Sequence, residues 1–137
     1  MSDAASVGRE VIEAFNEGDW DRLRAVLAPD VDYRETGTGR HATGEEYVQL
    51  CQGWREALPD VTGAVTAAVQ EGDLAALQIH WTGTHGGTLH GPGLELPATG
   101  KPIEGDATMW VRTTDGQAQE LRHHLDVLTL LRQVGAL

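Results

Sequence analysis

The chain of 137 residues contains one cysteine, Cys51, so no internal disulfide can form and no Cys-x-x-Cys pair offers a zinc or redox site. Stability has to come from packing. Lysine and arginine number only 10 against 21 aspartate and glutamate, and the net charge of −11 is spread along the chain rather than gathered in a tail. That balance argues against binding DNA or RNA through their phosphates, where affinity comes from cations displacing counterions. No apolar run approaches the roughly 20 residues that a membrane span needs. The opening MSDAASVGRE also lacks the basic, apolar and small-residue succession of a secretory signal. A soluble, cytoplasmic protein without nucleic-acid or membrane partners is expected. What the chain does have is 40% hydrophobic residues, enough for the modest core of a single domain spanning residues 1–137.

Helical periodicity dominates the first third. Val7, Val11, Ile12 and Phe15 recur at three- and four-residue spacing up to Gly18, and Asp19 is placed to cap a second helix carrying Trp20, Leu23, Val26 and Leu27, with Pro29 as its stop. Val31 to Glu35 alternates like a short strand before a glycine-rich turn at Thr36 to Arg40. Thr43 and Glu46 form a T-x-x-E capping box ahead of a third helix bearing Tyr47, Leu50, Cys51, Trp54 and Leu58, which Pro59 closes. Beyond Pro59 the period becomes two. Strands are predicted over Val61 to Val69 and Leu74 to Thr84, the latter with Ala75, Leu77, Ile79 and Trp81 on one face. A stretch broken by Gly86, Gly87, Gly91, Pro92, Gly93, Pro97, Gly100 and Pro102 leaves a loop or short edge strand around Leu89. Strands at Ile103 to Thr113 and Ala118 to Val127 follow, joined at Asp115-Gly116, before a short apolar end segment. Three helices followed by an antiparallel meander give an α+β class, with the helices stacked on one side of a curved sheet.

The stretch Trp81-Thr82-Gly83-Thr84-His85-Gly86-Gly87, then Pro97-Ala98-Thr99-Gly100-Lys101, Asp115-Gly116 and Leu130-Leu131-Arg132-Gln133-Val134-Gly135, resembles the SnoaL-like polyketide cyclases. These belong to the ketosteroid isomerase and nuclear transport factor superfamily. The resemblance runs from about Val7 to Gly135 and takes in Ala14-Phe15-Asn16 and Gly53-Trp54. It implies a cone-shaped α+β barrel, a polycyclic polyketide substrate, ring closure by intramolecular aldol condensation without a cofactor, and a homodimer or higher homo-oligomer. In such cyclases an Asp on the last strand is the acid/base and a His lies near it on the preceding strand. Here those positions hold His123 and Met109, a departure at both residues that carry the chemistry.

Side-chain pairing selects the strand register. Setting Met109 opposite His123 pairs Val111 with Leu121, Trp110 with Arg122 and Arg112 with Glu120, which are an apolar, a cation–π and an ionic pair; a three-residue loop around Gly116 produces that register. It also opposes Asp106 and Asp126, which a bulge or the strand ends must relieve. Met109, Val111, Gln119, Leu121, His123 and Leu125 then face the interior with Ile79 and Trp81. An imidazole of ordinary pKa about 6.5, lowered by burial, is a neutral base able to take a proton from a carbon flanked by carbonyls and return it to the new alkoxide. The alternative for His123 is a buried ring satisfied by a backbone carbonyl.

Two further residues join His123 as catalytic candidates. His85, at the expected pocket mouth, is placed to bond a substrate carbonyl or to lie in solvent. Asp106 is the nearest carboxylate in sequence, yet alternation puts it on the face opposite Met109. Phe15, Tyr33, Cys51, Trp54, Ile79, Trp81, Met109 and Leu121 are the candidate substrate-binding residues, and Trp110 falls outside. His80, His85 and His90 are spaced by five, and His123 and His124 point to opposite faces, so no metal site is expected. The altered pair also admits hydroxylation or hydration, or closure of an oxygen ring, and the superfamily contains non-catalytic binding modules.

Overall fold

The structure, a computed structural model, describes residues 3–91 and 93–137. Met1 and Ser2, which open the stretch read for a signal, and Pro92 of the glycine- and proline-rich stretch lie outside them. Asp3 caps helix α1 (Ala4–Glu17) by accepting the Ser6 N–H at 2.8 Å, and Gly18, at φ 64°, closes its other end. Its stripe of Val7, Val11, Ile12 and Phe15 is buried. Asp19 caps α2 (Trp20–Val26) in the same way. Pro29 does not stop α2, because strand β1 (Leu27–Thr36) has already begun. Pro29 lies in the irregular stretch between the Leu27 and Asp32 pairings, where a missing N–H interrupts no ladder bond.

The glycine-rich turn leads into a strand not foreseen above, β2 (Arg40–Thr43), which pairs back on β1. Helix α3 (Glu45–Ala57) starts one residue later than the capping box predicts. Gly44 is its N-cap, and Glu46 accepts from the Thr43 N–H at 3.1 Å and the Thr43 hydroxyl at 3.0 Å, so one half of the box forms. Strands β3 (Thr62–Glu71) and β4 (Leu74–Thr84), the small pair β5 (Leu89–Gly91) and β6 (Leu94–Leu96), and the long β7 (Pro102–Thr114) and β8 (Gln117–Leu125) follow, and α4 (Val127–Gln133) comes last.

The main sheet has the order β2-β1-β8-β7-β4-β3, with β1 and β8 parallel and the other neighbours antiparallel. This is an α+β cone. Helix α1 lies across β3, β4 and β7, α3 meets β1, β2 and β5, and α4 lies on β7. Leu23, Val31, Leu77, Ile79, Val111 and Leu121 are fully buried between these layers. Among the described residues no helix is long and apolar enough to cross a membrane.

Met109 does stand opposite His123, Val111 opposite Leu121 and Arg112 opposite Glu120, but the loop that produces this register differs from the expected one. Asp115 and Gly116 form a tight turn with φ 53° and 77°, and a bulge at Gln119 supplies the extra residue. The bulge brings Ala118 inside and sends Gln119 out, where its amide donates to Asp30 at 3.0 Å; the inward placement expected of Gln119 is thereby corrected. Strand β8 ends at Leu125, so Asp126 leaves the sheet and caps α4 through Thr129 instead of opposing Asp106.

Candidate active site

A mostly apolar cavity opens between α1, α3 and the inner face of the sheet, with α4 along its rim. Counted out to its open mouth, solvent space included, it spans about 850 Å³. Phe15, Cys51, Trp54, Trp81, Met109 and Leu130 supply much of the wall, and Tyr33, Tyr47 and His123 bring polar atoms to it.

Strand alternation puts Val31, Tyr33 and Glu35 on one face of β1, and all three are buried, Glu35 with a fully covered side chain. A carboxylate in such a place survives only if its oxygens are supplied with donors. Glu35 Oε1 accepts from the Thr38 hydroxyl at 2.6 Å and Arg40 Nε at 2.8 Å, with Arg40 Nη2 at 2.7 Å; Oε2 accepts from the Tyr33 hydroxyl at 2.5 Å and the Trp54 indole N–H at 2.9 Å. Arg40 also lies over the Trp54 ring, 5.1 Å from its centroid, which closes the cluster. Burial alone would raise the Glu35 carboxyl, but the Arg40 charge and the bonds from Thr38, Tyr33 and Trp54 outweigh it and hold the pKa below the usual value.

Tyr33 joins this cluster to the cavity. Its oxygen lies 3.1 Å from His123 Nδ1, and its ring packs against Tyr47 with centroids 4.4 Å apart. Burial, then the Glu35 charge, push the Tyr33 phenol well above its ordinary pKa, so it keeps its proton. His123 is 7% exposed, and burial lowers its pKa to about 4 against the opposing pull of Glu35. The ring is therefore neutral near pH 7. Its Nε2, like the Trp81 indole nitrogen, is buried without a partner among the described residues. The two rings are 6.0 Å apart between centroids, and both residues line the cavity.

Of the substrate-binding candidates, Phe15, Tyr33, Cys51, Trp54, Trp81 and Met109 line this space. Ile79 and Leu121 do not. They face inward as alternation requires, but further along the cone, where the core is solid and both have no exposed surface. His85 is neither at the mouth nor in solvent: it is fully buried in the loop after β4, its Nδ1 2.9 Å from the Thr99 hydroxyl and its backbone bonded to Lys101 and Gly100. Asp106 reaches the cavity rim, but its side chain is 72% exposed and bonds His80 Nδ1 at 2.8 Å, so it does not orient His123. Burial pushes the Cys51 thiol up to about 12, which leaves it an apolar wall group rather than a nucleophile. Glu35 was missed by the sequence reading, although its place two residues after the inward Tyr33 was the available signal.

The SnoaL-like polyketide cyclase family matches residues 5–134 of the chain. Among solved structures, the chain is 31% identical to IdmH, a candidate polyketide cyclase from Streptomyces antibioticus, covering 96% of this chain and 98% of that one with a TM-score of 0.81. It is 25% identical to AclR, a candidate hydroxylase from Streptomyces galilaeus, covering 96% and 95% at a TM-score of 0.80. A SnoaL-like protein from Jannaschia sp. CCS1, 20% identical with coverage of 96% and 90%, shares the fold at a TM-score of 0.85. No significant match is found among curated proteins. With the family match spanning nearly every element that builds the cone and its cavity, the chain belongs to the SnoaL-like polyketide cyclase family.

Proposed function

We propose that this chain is an enzyme that closes a ring of a polyketide by acid/base chemistry of its own side chains, with His123 as the group that moves the proton. The observation that carries this reading is a neutral imidazole in an apolar cavity, held at Nδ1 by Tyr33 and unpartnered at Nε2 among the described residues. In an aldol closure Nε2 takes a proton from a carbon flanked by carbonyls. That carbon attacks a second carbonyl of the same chain, and the imidazolium returns the proton to the alkoxide so formed. The apolar walls hold the substrate folded with its reacting carbons in contact. Family membership and the likeness to IdmH support the substrate class. A hydroxylation or hydration at the same site is the second reading, favoured by the likeness to AclR.

The test is mass spectrometry of open-chain β-keto esters and unsaturated alcohols incubated with the protein and with His123→Ala. Conversion at unchanged mass that drops by about 10²- to 10⁴-fold in the variant is the expected result. Gain of one oxygen or one water identifies the second reading, and full activity of His123→Ala removes His123 from the mechanism. A ligand that binds in the cavity without being converted makes the chain a binding module.

A further inference from the structure

We infer that Glu35, acting through the Tyr33 hydroxyl, fixes His123 as the Nδ1–H tautomer, so that the cavity receives a bare Nε2 acceptor beside the Trp81 N–H donor, a pair that fits an enolisable carbonyl group. Glu35 is acceptor-only as a carboxylate, and two of its partners, Arg40 and the Trp54 indole, can only donate. Oε2 lies 2.5 Å from the Tyr33 oxygen, so a proton must sit between them, and the ionised Glu35 does not supply it. The single Tyr33 proton is therefore committed to Glu35. What remains on the Tyr33 oxygen is a lone pair, and across 3.1 Å that lone pair requires a hydrogen on His123 Nδ1. A neutral imidazole with Nδ1 protonated has an unprotonated Nε2. Tyr33 and Glu35 thus act as positioning residues that make His123 accept before it donates.

The donor comes from Trp81. Its indole stands edge-on to Phe15, with centroids 5.4 Å apart, and lies over Gly63 of β3. A Cβ at residue 63 would come within 2.6 Å of Trp81 Cζ3, so only glycine admits the ring there. Because the six-membered edge packs on β3, the opposite edge carrying Nε1 turns away from that strand, and this N–H has no partner among the described residues. A buried donor and a buried acceptor left unpaired in one apolar cavity each cost free energy until something satisfies them. A carbonyl with an acidic α-hydrogen does both: its oxygen accepts from Trp81, its α-hydrogen faces Nε2, and enolisation moves that proton to Nε2 while the oxygen gains charge against the indole N–H.

The substrate class rests on the catalytic reading above; the tautomer does not. Long-range ¹H–¹⁵N correlation spectra of histidine-labelled protein at pH 7 read the tautomer with no substrate present, the His123 signals being identified by their loss in His123→Leu. A protonated Nδ1 and a bare Nε2 are expected. Tyr33→Phe keeps the ring packing and should replace the single pattern by a mixture of tautomers. A protonated Nε2 in the unaltered protein overturns the assignment, as does an unchanged pattern in Tyr33→Phe. For the second half, the Trp81 indole N–H resonance is followed while acetyltetralone, a fused-ring β-diketone, and ethylnaphthalene, a hydrocarbon of similar shape, are titrated in. A shift to lower field with the diketone alone supports the carbonyl assignment. Equal responses to both, or none to the diketone, overturn it while leaving the tautomer result and the turnover assay to stand separately.

Discussion

His123 and His80 both have carboxylates in their surroundings, and the protein shifts their pKa values in opposite directions. His80, on β4, bonds Asp106 directly at 2.8 Å and lies 3.3 Å from Glu104, all three at the surface, and the bond to Asp106 raises its pKa above the ordinary value. His123, on β8, reaches Glu35 only through the Tyr33 hydroxyl, and burial lowers it to about 4. Distance to a charge and access to water decide the outcome together. A carboxylate in contact with an imidazole favours its charged form. Set behind a phenol, with the ring itself buried, a carboxylate does not outweigh desolvation, and the imidazole stays uncharged.

Removing each carboxylate should therefore have unequal consequences. Glu35→Ala leaves the Tyr33, Trp54 and Arg40 donors without their acceptor in the interior, and a loss of about 3 kcal/mol in unfolding free energy, measured in urea, is expected. A comparable effect belongs to pH. Between the ordinary histidine value near 6.5 and the folded value of about 4, the unfolded chain binds a proton that folded His123 refuses. Stability therefore falls as pH is lowered through that window, by roughly 3 kcal/mol in all. His123→Phe should flatten the stability profile over the same range. His80 tilts the profile the other way, since its raised folded value adds stability below pH 6.5 that is lost as pH rises through that value. The smallest effect is that of Asp106→Asn, which should leave the urea midpoint unchanged and return the His80 NMR titration toward 6.5.

How much of this arrangement is legible in the sequence depends on how local each cause is. Helix α1 and the β4 face are written in spacing and end signals, and they form where the spacing puts them. The Met109 and His123 pairing is also readable, because only one register matches apolar and charged partners along the whole hairpin. The bulge that delivers it is not, since Gln119 carries no turn chemistry. Alternation finds the inward faces but not the depth along the cone, which is why Ile79 and Leu121 belong to solid core while Trp81 and Met109 meet the cavity. His85 is expected at the pocket mouth or in solvent from its place in a glycine-rich loop, yet its ring is fully buried and bonded to Thr99 of the same loop. The Glu35 cluster draws on a turn, a strand and a helix, through Thr38, Arg40 and Trp54, and no window of sequence holds all three.

The parallel pairing of β1 with β8 joins residues about ninety positions apart, and Tyr33 and His123 meet across it. Loops of that length cost more entropy to close than any hairpin in the sheet, and contacts so distant in sequence form slowly. The β3-β4 and β7-β8 ladders can assemble from near neighbours, but a refolding chain that has made only those has an imidazole with no phenol beside it. Recovery of the His123 signature after dilution from denaturant thus reports on the meeting of β1 and β8, and a chain shortened before β8 keeps only a partial sheet and lacks the imidazole that Tyr33 would bond.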